Sequence, residues 1–117
     1  MADFVTIGTA NDLTPGTMKE VTVEGIPILL ARIGDKFYAT QGRCPHMGGI
    51  LANGTLEGAV VTCPRHRSQF ALTDGRVIRW LKGSGLVATI GKTLKSPRGL
   101  KTYELKIENG NIQVKIV

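Results

Sequence analysis

The sequence predicts an all-β chain of antiparallel strands. Three observations carry that expectation. Fifteen glycines are spread along 117 residues. Turn signals recur at short intervals, and the apolar runs between them alternate or are rich in Val and Ile, at lengths that suit strands. The length fits one domain, residues 1–117. Such a chain buries roughly two-thirds of its unfolded surface, so one ordinary core is possible.

The elements follow in order. Phe4 to Ile7 reads as a first short strand, and Asn11 to Gly16 as a turn with Pro15-Gly16 as its strongest signal. Met18 to Val23 alternates, with Val21 and Val23 on one face. Ile26 to Ile33 is more continuously apolar, which predicts a strand buried on both faces. Gly34-Asp35 turns the chain into Lys36 to Thr40. Leu56 to Cys63 contains a turn at Glu57-Gly58, and Gln69 to Leu72 ends at Thr73-Asp74-Gly75. Tyr103, Leu105 and Ile107, then Ile112, Val114 and Ile116, alternate about Asn109-Gly110, the dipeptide that tolerates the positive φ angles of a type I′ hairpin turn. One stretch departs from this pattern. Leu86, Val87, Ile90 and Leu94 fall on one helical face, which predicts a short helix over 86–94, with a long loop as the competing reading.

Composition excludes several classes. Hydrophobic residues make up 42% and charged residues 21%, an average globular mix rather than a disordered one. Two cysteines cannot build a disulfide-dense scaffold. No run approaches the ~18 apolar residues of a membrane span. The N-terminus has no basic and apolar leader pattern, so the expectation is a cytoplasmic protein. The net charge of +6 is uneven. Residues 1–75 carry six basic residues against seven acids, whereas residues 76–117 carry nine against two. That basic C-terminal third is either a solvated face or a docking face for an acidic partner. No recognition helix or aromatic-basic interleaving supports nucleic acid.

All four soft or imidazole ligands lie in two short clusters: Cys44-Pro45-His46 and Cys63-Pro64-Arg65-His66. Three chemistries could use them. A structural zinc site takes four Cys or His ligands, although zinc fingers pair like with like and this order alternates. A disulfide or catalytic thiol would leave two matched histidines unexplained. An iron–sulfur centre with two Cys on one iron and two His on the other explains all four.

The segments Cys44-Pro45-His46-Met47-Gly48-Gly49 and Cys63-Pro64-Arg65-His66-Arg67-Ser68-Gln69-Phe70 together resemble the Rieske [2Fe–2S] family. Looser similarity extends through Asn11 to Gly16, Gly54 to Gly58, Asp74 to Val77 and the final hairpin. The resemblance implies an antiparallel β-sandwich or barrel, with a cluster-binding part at about 41–75 inserted as two loops. It implies that Cys44 and Cys63 hold an inner iron, and that His46 and His66 hold an outer, solvent-near iron through neutral imidazoles. The His-bound iron then takes the electron, which raises the potential above that of an all-Cys cluster. Met47, Gly48, Gly49 and Ser68 are expected around the cluster: Met47 as a shield, the glycines for close backbone approach, and Ser68 as a hydroxyl donor to sulfur. Phe70 stands where high-potential members have Tyr, which points to an intermediate potential within roughly −150 to +300 mV. Arg65 stands where many members carry an aromatic residue or Cys. Trp80 and Tyr103 read as core residues, and Pro97 as a position for a third covering loop.

Both histidines are spent on the cluster, and no nucleotide or phosphate fingerprint is present. The expectation is therefore a one-electron carrier and not an enzyme. It would move electrons from a reductase to a terminal oxygenase or other redox partner, with one [2Fe–2S] cluster per chain. Two alternatives stand beside it: a small subunit held permanently in a larger oxidoreductase, and a zinc-stabilised interaction module.

Overall fold

The computed structural model describes residues 4–45, 48–65, 67–79 and 99–116. Ten strands are present among them: β1 (Phe4–Thr9), β2 (Thr17–Val23), β3 (Ile26–Ile33), β4 (Lys36–Gln41), β5 (Thr55–Glu57), β6 (Val60–Thr62), β7 (Gln69–Ala71), β8 (Val77–Arg79), β9 (Thr102–Glu108) and β10 (Asn111–Lys115). They form a six-stranded sheet, ordered β1-β10-β9-β4-β3-β2, and a four-stranded sheet, ordered β5-β6-β7-β8. Every pairing is antiparallel. Helical backbone among the described residues is confined to two 3₁₀ turns, Ala10–Asp12 and Leu51–Asn53. The expected 86–94 helix, Trp80 and Pro97 lie outside the described residues.

The hairpins follow from local chemistry. Asn109 and Gly110 have φ of 53° and 79°, both positive as a type I′ turn requires. The β2–β3 turn uses the same backbone, with Glu24 at 51° and Gly25 at 79°. Ile26–Ile33 is the strand with the most buried run: Ile28, Leu29, Leu30 and Ala31 have no solvent exposure. Its two-residue period explains why. Leu29 and Ala31 point into one core, with Leu51, Val61, Phe70, Leu72 and both cysteines. Ile28 joins the core of Val23, Ala39 and Val114, and Leu30 the adjoining one of Leu13 and Ile112. Strand β3 is thus a wall with apolar cores on both sides.

The six-stranded sheet curls. Its edge strands β1 and β2 share a core, because Val5 and Ile7 pack with Val21 and Val23. Alternation in the last hairpin holds until its tip, where Ile107 is 42% exposed.

The four-stranded sheet and both cysteine loops belong to one excursion between β4 and β9. Residues Ala39 and Thr40 pair with Tyr103 and Thr102. At the neck the Gln41 N–H donates to the Lys101 carbonyl at 2.8 Å, and the Lys101 N–H donates to Gln41 Oε1 at 2.7 Å. The Gln41 side-chain amide also donates to the Arg43 carbonyl at 2.8 Å. A single side chain therefore ties both arms of the neck to the start of the first loop.

Candidate metal centre

The two cysteine loops are closed by the same pair of backbone hydrogen bonds. In the first, the Cys44 N–H donates to the Gly49 carbonyl at 2.8 Å, and the Gly48 N–H donates to the Cys44 carbonyl at 2.8 Å. In the second, the Cys63 N–H donates to the Ser68 carbonyl at 2.8 Å, and the Arg67 N–H donates to the Cys63 carbonyl at 3.1 Å. The fourth residue after each cysteine is in the left-handed region: Gly48 at φ 75° and Arg67 at φ 64°. Glycine takes that conformation without penalty. Arginine pays about 1–2 kcal/mol for it.

Cys44 and Cys63 are 3% and 2% exposed and lie in one apolar core. Both are thiols outside any disulfide. The loops come together at Gly49. A Cβ placed there would stand 2.7 Å from Cys63 Sγ and about 3 Å from the Cγ and Cδ atoms of Arg65. Gly49 therefore makes room for the sulfur and for the Arg65 stem, while Gly48 needs only its dihedral freedom, with nothing near a Cβ. This separates two glycines that the sequence treats alike.

Ser68 is fully buried in the second loop, and Phe70 is fully buried on β7. The first loop is anchored to the six-stranded sheet. Arg43 pairs with Glu20 of β2 through two contacts, Nε to Oε1 at 3.0 Å and a terminal nitrogen to Oε2 at 3.2 Å. The carboxylate raises the guanidinium pKa further, through its hydrogen bonds and its charge. The second loop is anchored to β8, where Arg79 Nε donates to the Arg67 carbonyl at 3.1 Å.

The structure thus brings Cys44, Cys63, Gly48, Gly49 and Ser68 into one pair of facing loops. His46, His66 and Met47 lie outside the described residues. Tyr103 is placed away from the loops, on β9, where it packs on the core of the six-stranded sheet. It borders a hollow of about 340 Å³ shared with Tyr38, Leu72 and Thr102. Burial pushes its phenol pKa up. Two site features were missed in the sequence. The matched closure was readable, since Gly48 and Arg67 stand at the same offset from their cysteines. The clasp of Gln41 carried no sequence signal.

Two buried thiols on facing, backbone-closed loops suit a soft metal centre, and Gly49 leaves the space beside a sulfur that close approach needs. Comparison with known proteins identifies the class. Residues 3–95 match the Rieske [2Fe–2S] domain model. The chain belongs to that family, whose cofactor is a Rieske-type [2Fe–2S] cluster.

Its relatives include ferredoxin components of oxygenase systems. It is 31% identical over 108 residues to the ferredoxin component of biphenyl 2,3-dioxygenase from Rhodococcus jostii (strain RHA1), covering 92% of this chain and 88% of that one. It is 42% identical over 67 residues to ferredoxin CarAc of Metapseudomonas resinovorans, covering 56% of this chain and 63% of that relative's length. Among solved structures, a chain from the complex of reduced oxygenase and oxidized ferredoxin in carbazole 1,9a-dioxygenase superposes with a TM-score of 0.76 at 29% identity, covering 96% of this chain and 92% of that one. No helix among the described residues is long and apolar enough to cross a membrane.

Proposed function

We propose that this chain is a ferredoxin that carries one electron at a time from a reductase to a terminal oxygenase. The single observation that carries this reading is the pair of facing loops of equal closure, each led by a buried cysteine, in a chain of the Rieske family. The fit to ferredoxin components over most of the length supports the role of carrier. A cluster bound here supplies a one-electron site with no bond made or broken on a substrate.

The chain's own residues do the rest. Cys44 and Cys63 present thiolate sulfur from the buried side. His46 and His66, two and three positions further on in the sequence, would complete the ligand set as neutral imidazoles. Gly49 keeps the sulfur unobstructed. Leu51, Val61, Phe70 and Leu72 exclude water from the buried side. The Ser68 hydroxyl donates toward sulfur and favours the reduced state. A cytoplasmic setting suits the role, since reducing conditions keep both thiols available.

The test is electron paramagnetic resonance of the dithionite-reduced protein, with His46→Ala and His66→Ala beside it. The expected result is an average g value below that of an all-Cys [2Fe–2S] cluster, lost in either variant. A colourless protein containing zinc would overturn the reading. Gel filtration of the native protein separates a free carrier from a subunit held in a larger oxidoreductase.

A further inference from the structure

The second loop carries two exposed arginines, Arg65 and Arg67, on either side of His66 in the chain. A third, Arg79, is held against them, because its Nε donates to the Arg67 carbonyl. The stem of Arg65 lies across Gly49 and so onto the first loop. The other arginines of this part of the chain are balanced: Arg43 faces Glu20, and Arg76 faces Asp74 at 3.2 Å. Arg67 and Arg79 are in no ion pair among the described residues.

Arg67 is the informative member. At the matching position of the first loop the chain uses Gly48, the residue that suits this backbone. The second loop holds an arginine in the same left-handed conformation, although glycine would close it equally well. Loop closure does not account for that choice, because the bonds involved are backbone to backbone. The exposed side chain does.

We infer that Arg65, Arg67 and Arg79 form a cationic lip around the outer edge of the metal centre, and that this lip docks a carboxylate-bearing face of the redox partner. The inference rests on the carrier reading above and names the chemistry of its partner. It centres the expected docking face on the rim of the second loop, to which the basic C-terminal third contributes Arg79. In that third, Lys106 is engaged with Glu108 and Lys101 lies over the Tyr103 ring, while Lys82, Lys92, Lys95 and Arg98 are outside the described residues. A cationic rim at the electron exit concentrates anions where transfer occurs and turns an acidic face toward the shortest path.

The experiment uses probes of opposite charge in place of the unidentified partner. The reduced holoprotein is mixed in stopped flow with hexacyanoferrate(III), or with tris(phenanthroline)cobalt(III). Each accepts one electron, becoming hexacyanoferrate(II) or the cobalt(II) complex, and the protein returns to its oxidised state. The variants are Arg67→Gly, which the backbone favours, Arg79→Gln, and Lys115→Gln as a charge-matched control on β10. At low salt, Arg67→Gly and Arg79→Gln each slow the anionic oxidant by about threefold and speed the cationic one. Both effects disappear in ~0.5 M salt, where screening is short-ranged. Poly-glutamate slows the wild type and loses its effect on Arg67→Gly. Equal rates for wild type and Arg67→Gly, or an equal effect of Lys115→Gln, would overturn the lip while the cluster spectrum stays intact. Absence of the cluster spectrum in the wild type would overturn the carrier reading itself.

Discussion

The sulfur of Cys63 fills the space that a side chain at Gly49 would need: a Cβ there would stand 2.7 Å from Sγ. Real Cβ atoms essentially never come that close. Gly49 is therefore fixed by its neighbour across the loops, and Gly48 by its own dihedral.

Gly49→Ala is accordingly expected to displace the sulfur or open the loops. Overpacking of this kind costs about 1–3 kcal/mol, so the iron bound per chain falls by on the order of tenfold at limiting iron. Gly48→Ala, with open space around its Cβ, loses stability but retains iron. Iron and sulfide assays with thermal melts on both variants check this; equal iron content in the two would contradict it.

Ser68 offers a second test. It is fully buried in the Cys63 loop. Ser68→Ala should lower the midpoint potential, because a hydrogen bond to sulfur favours the reduced form. It should leave the paramagnetic spectrum recognisable. A redox titration that gives one midpoint for both proteins removes the hydroxyl from the account.

The β2–β3 hairpin places Glu24 in the left-handed region at φ 51°, beside Gly25. The β9–β10 hairpin meets the same demand with Asn109-Gly110. Glu24→Asn makes the two turns alike and should stabilise the protein by roughly 0.5–1 kcal/mol, since asparagine tolerates this conformation better. Denaturant unfolding measures it, and an unchanged midpoint would mean that the turn is not under strain.

Asp12 gives a pH dependence. The Thr9 N–H donates to Asp12 Oδ2 at 3.0 Å, and this bond holds the carboxyl below its ordinary value of 3.8, with Lys19 adding a smaller effect. A lowered folded pKa means stability that is present above the unfolded value and lost as pH falls through the folded one. The melting temperatures of wild type and Asp12→Asn should therefore differ most near pH 6–7 and converge below about 4. A gap that stays constant across that range would exclude the charge.

The sequence made much of this legible, for identifiable reasons. Strand β3 was readable in full because four consecutive apolar residues face apolar cores on both sides of the strand. The Asn109-Gly110 turn was readable because its backbone needs those residue types. Strand β8 was passed over: at Val77–Arg79 it is three residues long, and its middle residue Ile78 is exposed, so it shows no inward alternation. Its place is set by pairing with β7. The loops were located from the spacing of Cys44 and Cys63. Their common closure became visible only through backbone bonds, which side-chain patterns do not record. The charge reading was coarsest, because a count along the chain assigned the basic excess to residues 76–117. The arginines that bracket His66 lie in the part whose total is −1.

Main-chain closure of both loops has an evolutionary consequence. The bonds that close the second loop, Cys63 to Ser68 and Arg67 to Cys63, run from backbone to backbone, and the Arg67 side chain takes no part in them. Selection can exchange that side chain for an acidic, apolar or neutral one without rebuilding the cradle that grips the metal. Partner choice and metal retention are thereby uncoupled traits, written on adjacent atoms but inherited separately, and one chassis can be retargeted by two or three codons.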